Sequence, residues 1–144
     1  AEQHMTRAES TMTAQYSCPY VVGATLAYGP MRYDAYGERF LDDPAIQAII
    51  DKVRFRVDPA LEAEYYPAQY ASRVTMTFAD GSERSAMVAD SLGTARKPLS
   101  RAQLIAKGDG LAAFGTFPRG EDLAALLWND AAGAAELAQA LNRR

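Results

Sequence analysis

The chain is poor in the residues that usually announce chemistry. It has one cysteine and one histidine among 144 residues, and no pair of carboxylates at catalytic spacing. The lone Cys18 cannot form an internal disulfide, and no His/Cys grouping has the spacing of a metal site. One unpaired thiol is what a reducing, cytoplasmic setting predicts. Flanked by apolar and aromatic neighbours, Cys18 is expected to be a small buried hydrophobe. Long hydrophobic runs are also lacking. The longest, from Pro19 to Ala27, is about half of what a bilayer crossing requires. No charged segment followed by an apolar one opens the sequence as a secretory signal would, so no membrane association is expected. A start at Ala1 in place of methionine is expected of a processed chain or of a piece of a longer protein. Basic clusters are missing too: Arg96-Lys97 is the nearest thing to one. With 15 basic against 18 acidic residues and a net charge of -3, nucleic acid is not an expected partner.

What remains is an ordinary globular balance, 49% hydrophobic and 23% charged, sized for about one domain over residues 1–144. Residues 1–13 are polar and irregular. From Ala14 to Tyr28, Val21, Val22, Thr25 and Leu26 with the small Gly23, Ala24 and Ala27 predict a helix buried on most sides. Gly29-Pro30 ends it. Tyr33, Tyr36 and Phe40 follow as a packing cluster. Asp43-Pro44 then supplies a cap and a first helical proline. Ile46, Ile49, Ile50 and Val53 make a one-faced stripe behind it. Asp42 and Asp43 read as caps rather than catalytic acids.

The period then changes to two. Val53, Phe55 and Val57 alternate with charged residues and predict a half-buried strand. Asp58-Pro59 repeats the cap-and-proline device before Leu61 and Glu64. Val74, Met76 and Phe78 alternate with threonines up to Asp80-Gly81, a type I′ hairpin signal, with a return strand over 82–89. Ser100-Arg101-Ala102-Gln103 has the form of a capping box for a helix bearing Leu104 and Ile105, which Gly108, Gly110 and Gly115 then loosen. Helices over 121–128 and 131–141 return at the end. The fold class is α+β: a small antiparallel sheet of three to four strands with helices on one face. The last helix carries alanines and only Leu137 and Leu141, worth about 2–4 kcal/mol of apolar burial, which suggests a second surface for it to dock on. Ala134, Ala135 and Ala138 would permit close helix approach, and a two-fold homodimer is the expected association.

Polar and aromatic groups crowd the mouth of the first helix, at Gln15-Tyr16-Ser17-Cys18-Pro19-Tyr20. Ser17 and Tyr20 are candidates to line a pocket there, where free backbone N–H groups favour an anion. The alternative for Tyr20 is a core aromatic whose hydroxyl reaches a backbone carbonyl. Gln15 has the same two readings. Arg7 and Lys97 are candidate carboxylate partners, against the alternative of solvated surface cations. His4 has the only side chain titrating near neutrality and is the best general acid or base available; the alternative is a solvated residue near a chain end.

The order of these features resembles the C-terminal region of the MmgE/PrpD family, which includes 2-methylcitrate dehydratase, cis-aconitate decarboxylase and iminodisuccinate epimerase. Ala14-Gln15-Tyr16-Ser17-Cys18-Pro19-Tyr20 carries the likeness first. Asp43-Pro44, Lys52-Val53-Arg54, Asp58-Pro59 and Tyr66-Pro67 follow. Then come Val74-Thr75-Met76-Thr77 with Asp80-Gly81, and Lys97-Pro98-Leu99-Ser100 with Leu104 and Lys107. One departure is Gly108, where the family usually has an aromatic. The resemblance implies metal-free and cofactor-free proton transfer beside a carboxylate on a small di- or tricarboxylate. In it His4 would be catalytic, with Arg7, Gln15, Ser17, Tyr20 and Lys97 in substrate binding. It also implies that this chain is the smaller, lid-like domain, with the 121–144 helices returning toward an N-terminal helical domain that supplies most acid–base groups. Dehydratase chemistry is the leading expectation. Decarboxylation, epimerisation and a non-catalytic interaction module stay open.

Overall fold

The computed structural model describes residues 7–114, 118–129 and 133–142. His4, Gly115 and the 131–132 start of the last expected helix lie outside them. Seven α-helices and one two-stranded antiparallel sheet make the fold α+β among the described residues. They fall into two compact units: the flanking segments through Phe55 and from Arg101 form one, and Arg56–Ser100 the other.

In the first unit the expected single helix is two, α1 (Thr11–Tyr16) and α2 (Cys18–Tyr28). The break has a simple cause. Pro19 has no N–H to give an uninterrupted helix, and its ring would strike the carbonyl four residues back. α1 also starts earlier than the sequence pattern indicated, because Ser10 and Thr13 form a reciprocal capping box. α2 ends at Gly29, whose φ of +88° suits glycine. Two short 3-10 turns, Tyr33–Tyr36 and Glu38–Phe40, lead to α3 (Pro44–Ile50). Asp43 caps α3 as expected, accepting from the Ala45 and Ile46 N–H groups at 2.9 and 3.1 Å. α2 and α3 pack closely. Ile46 and Ile50 are buried against the small residues of α2, and a Cβ on Gly23 would sit 3.1 Å from both isoleucines. Tyr20, Ala24, Ala35 and Leu41 complete that core, with Tyr28, Tyr36 and Phe40 at its margin.

α5 (Arg101–Ala112) starts directly after Ser100, yet Gly108 and Gly110 do not loosen it. They lie inside the helix and let neighbours approach. A Cβ on Gly108 would meet the Cα of Gly120 at 3.1 Å, and one on Gly110 would meet the Tyr33 ring at 3.1 Å. α6 (Gly120–Leu127) lacks a capping side chain of its own, and Asp109 of α5 substitutes by accepting from the Gly120 N–H at 2.6 Å. α7 (Ala134–Leu141) contributes no buried residue.

The second unit holds α4 (Pro59–Tyr65), capped by Asp58 as expected, and the hairpin β1 (Ser72–Thr77) with β2 (Glu83–Val88). Val74 pairs with Ala86 and Met76 with Arg84. The turn lies at Asp80-Gly81 but is not type I′, which needs positive φ at both central residues. Gly81 has φ +81°, and Met31 is the only non-glycine with positive φ among the described residues. The Gly81 N–H donates to the Phe78 carbonyl at 2.9 Å, and the Phe78 N–H donates to Ser82 at 2.8 Å. That is a three-residue loop with a glycine bulge.

Two expectations about the sheet need correcting. Residues 53–57 form no strand among the described residues, so the sheet has two strands rather than three or four. Alternation alone could not specify a ladder partner, and Arg54 instead donates locally to the Asp51 and Val53 carbonyls. Nor is the hairpin's apolar face buried under helices: Val74, Met76 and Phe78 are all exposed, Phe78 at 40%. No helix of the described residues is long and apolar enough to cross a membrane.

Candidate functional site

The junction of α1 and α2 is built around Ser17. Its N–H donates to the Thr13 carbonyl at 2.9 Å and closes α1, while its own carbonyl accepts from the Val21 N–H at 2.9 Å. Its hydroxyl oxygen accepts from the Tyr20 N–H at 3.3 Å and caps α2. Ser17 is 1% exposed, and its backbone and side chain together join the two helices. Around it Gln15, Tyr16 and Cys18 face outward. The expectation of a buried Cys18 is therefore corrected: it stands exposed at the start of α2. Partial shielding of its sulfur pushes the thiol pKa up, the opposite of an activated nucleophile.

Tyr20 is fully buried, and its hydroxyl lies 2.9 Å from the carbonyl oxygens of both Ala35 and Phe40. Burial and the nearby Asp43 push its pKa up to about 12. The geometry is that of a packing tyrosine that ties both 3-10 turns to α2. Its action on a bound ligand would pass through the groups it positions. Tyr36 packs at 5.9 Å from its ring, and Tyr28 meets Phe40 edge-on at 5.3 Å.

Arg7 is held in an open ion pair with Asp42, Nη2 to Oδ1 at 2.8 Å. Both side chains are mostly exposed, and such a pair is worth at most about 1 kcal/mol. The guanidinium therefore keeps donors for another carboxylate. Ala8 beside it is buried and anchors the backbone. Arg7, Gln15, Ser17 and Tyr20 thus share the first unit. Lys97 belongs to the second, exposed in a turn where its carbonyl accepts from the Gly93 N–H at 2.7 Å. No group of three His, Cys, Asp or Glu that could hold a metal occurs among the described residues.

Sequence reasoning passed over two polar arrangements. The Tyr28 hydroxyl donates to Asp43 at 2.7 Å, so one aspartate both caps α3 and ties it to α2. That hydrogen bond holds the Asp43 carboxyl below its usual range. Asp34 accepts from Arg32 Nε and Nη2 at 2.9 and 3.0 Å and from Arg39 Nη2 at 2.9 Å. The Arg-x-Asp spacing was a visible signal for the first of these pairs; nothing local foretold the second.

The family model for the MmgE/PrpD C-terminal domain matches residues 2–128. The chain belongs to this family. Among curated proteins none matches it. The match takes in the α1–α2 junction, the hairpin and α5, and therefore most features that carry the sequence resemblance. In this MmgE/PrpD domain the departure at Gly108 coincides with a close approach, since even a Cβ there would meet the Gly120 Cα at 3.1 Å in the α5–α6 contact.

Proposed function

We propose that this MmgE/PrpD domain is the small domain of a hydro-lyase acting on a small di- or tricarboxylate, incomplete without a helical domain of the same protein. The family match carries this reading. Proton transfer beside a carboxylate needs a base, an acid for the leaving group and cations for the substrate. Arg7, ahead of α1, and Gln15, on α1, are the exposed polar groups of the first unit offered to such a substrate, and Lys97 of the second unit is a separate candidate cation. Ser17 and Tyr20 position that surface from below, and His4 is the acid–base candidate. The second acid–base group would come from the helical domain.

The C-terminal helices support a docking role. α5 and α7 contribute no buried residue, and Leu127, Trp128 and Leu141 are about half exposed or more. Apolar surface of that kind marks an interaction site, here for the helical domain and for the second copy of a homodimer. One observation favours the non-catalytic module instead: the Tyr20 hydroxyl is spent on backbone carbonyls.

The test is turnover of 2-methylcitrate, cis-aconitate and iminodisuccinate by residues 1–144 alone and by the chain joined to its helical domain. The isolated chain should be inactive, and the joined protein should release water from a hydroxy-acid substrate. Turnover by the isolated chain overturns the split site. Carbon dioxide release or epimerisation by the joined protein transfers the assignment to a decarboxylase or an epimerase, and inertness toward all three acids favours the module.

A further inference from the structure

A small pocket lies at the C-terminal end of α2, away from the residues given roles above. Thr25 follows Ser17 by just over two helical turns, about 12 Å along the axis. The pocket holds about 80 Å³ and is lined by Thr25, Tyr33 and Tyr36, the Thr25 and Tyr36 side chains hydrogen-bonded to each other, with Arg32, Ala24 and Met31 among its other walls. That is room for roughly two or three waters, or for a carboxylate on a short carbon stub.

Three observations converge there. Met31, on the wall, has φ +64°, a left-handed conformation that a side-chain-bearing residue adopts at a cost of about 1–2 kcal/mol. Tyr33 is wedged against α5, so close to Gly110 that a Cβ there would come within 3.1 Å of its ring. The wall is therefore fixed. The third is charge. Arg32 and Arg39 both pair with the single, largely buried carboxylate of Asp34, which leaves one positive charge uncompensated. Arg32 spends Nε and Nη2 on that aspartate, and its Nη1 has no acceptor among the described residues. The Tyr28 ring, 5.6 Å from the guanidinium carbon, supports the guanidinium from another side.

We propose that this pocket binds the carboxylate of a small organic acid on the free end of the Arg32 guanidinium, with pocket hydroxyls as further donors. A planar carboxylate matches the arginine fork, and Asp34 already shows that match on the other edge. The carbonyl end of α2 opposes an anion with about half a charge. The net positive charge of the Arg32–Asp34–Arg39 group outweighs it.

Acetate is the probe, titrated into the full chain and followed by backbone amide NMR, with chloride at equal ionic strength as the reference. Saturable shifts centred on Thr25, Arg32, Tyr33 and Tyr36 are expected with acetate alone. Arg32→Gln should weaken binding by about tenfold or more, the scale of one charge-assisted hydrogen bond. Asp34→Asn should tighten it, because the internal competitor is gone. Shifts that match chloride, or wild-type affinity in a folded Arg32→Gln protein, overturn the assignment. Should Arg32→Gln fail to fold, Asp34→Asn decides: tighter binding supports the site, and unchanged or weaker binding overturns it.

Discussion

Gly23→Ala tests whether the α2–α3 contact holds the first unit together. Two effects oppose each other. Alanine in place of glycine inside a helix gains about 1 kcal/mol through backbone entropy. The added methyl would gain about 0.8 kcal/mol more if it were accommodated without strain. But it would sit 3.1 Å from Ile46 Cγ2, Ile50 Cγ1 and the Ile46 carbonyl oxygen. Ile46 is fully buried and Ile50 nearly so, so neither side chain has space to turn into. The carbonyl belongs to α3 itself and yields only if the whole helix moves. Overpacking of this kind costs about 1–3 kcal/mol, and a backbone contact places it at the upper end. Without the strain-free burial, the balance is a net loss of about 1–2 kcal/mol. Urea unfolding followed by far-UV circular dichroism would read this as a lower midpoint at unchanged slope. Two further glycines calibrate it. At Gly110 the only close neighbour is the Tyr33 ring, so Gly110→Ala should cost less. At Gly120 a Cβ would lie 2.5 Å from the Ile105 carbonyl, so Gly120→Ala should cost most. A Gly23→Ala protein as stable as the parent, or the reverse order across the three, refutes the close-approach reasoning.

Tyr20→Phe should cost about 1–3 kcal/mol, because it takes a donor from the buried Ala35 carbonyl and leaves the Phe40 carbonyl with the Asp43 N–H; an unchanged unfolding midpoint would show that the hydroxyl does not tie the turns. The same hydroxyl sets an alkaline limit. Its folded pKa of about 12 lies above the unfolded value near 10, so the stability it contributes is complete below about pH 10 and fades as pH climbs toward 12. Tyr20→Phe should flatten that loss. At the acid end the sign reverses. Paired with Arg32 and Arg39, Asp34 has its pKa lowered to about 2, so the stability it contributes is complete above about pH 4 and is lost as pH falls toward 2. Acid titration of the unfolding midpoint in Asp34→Asn should show a shallower fall across that window; a slope equal to the parent's would remove Asp34 from the account. Asp43→Ala should cost about 1–2 kcal/mol or more, since it removes a helix cap and the Tyr28 partner together; a loss within 0.5 kcal/mol, the scale of an idle surface change, would contradict that double role.

What the sequence revealed and what it hid divide along one physical line. Local chemistry was legible. Asp43-Pro44 and Asp58-Pro59 start helices because a carboxylate and a proline suffice to do so, whatever lies beyond. The hairpin formed where Asp80-Gly81 indicated, with a different turn type because in that turn Gly81 alone takes positive φ. Long-range pairing was not legible. Nothing within residues 53–57 says which edge they should join, and a two-stranded sheet resulted. Gly108 and Gly110 read as loosening because a glycine's local cost is visible in sequence, while the Gly120 backbone and Tyr33 ring that require them are not. The candidate site follows the same rule. The crowding of Gln15, Tyr16, Ser17 and Cys18 was evident, but Pro19 splits the helix there and turns Ser17 into a shared cap. Tyr20 carries the consequence furthest. Placing its hydroxyl on Ala35 and Phe40 needs partners 15 and 20 residues away, and those contacts give it a positioning role beneath the junction.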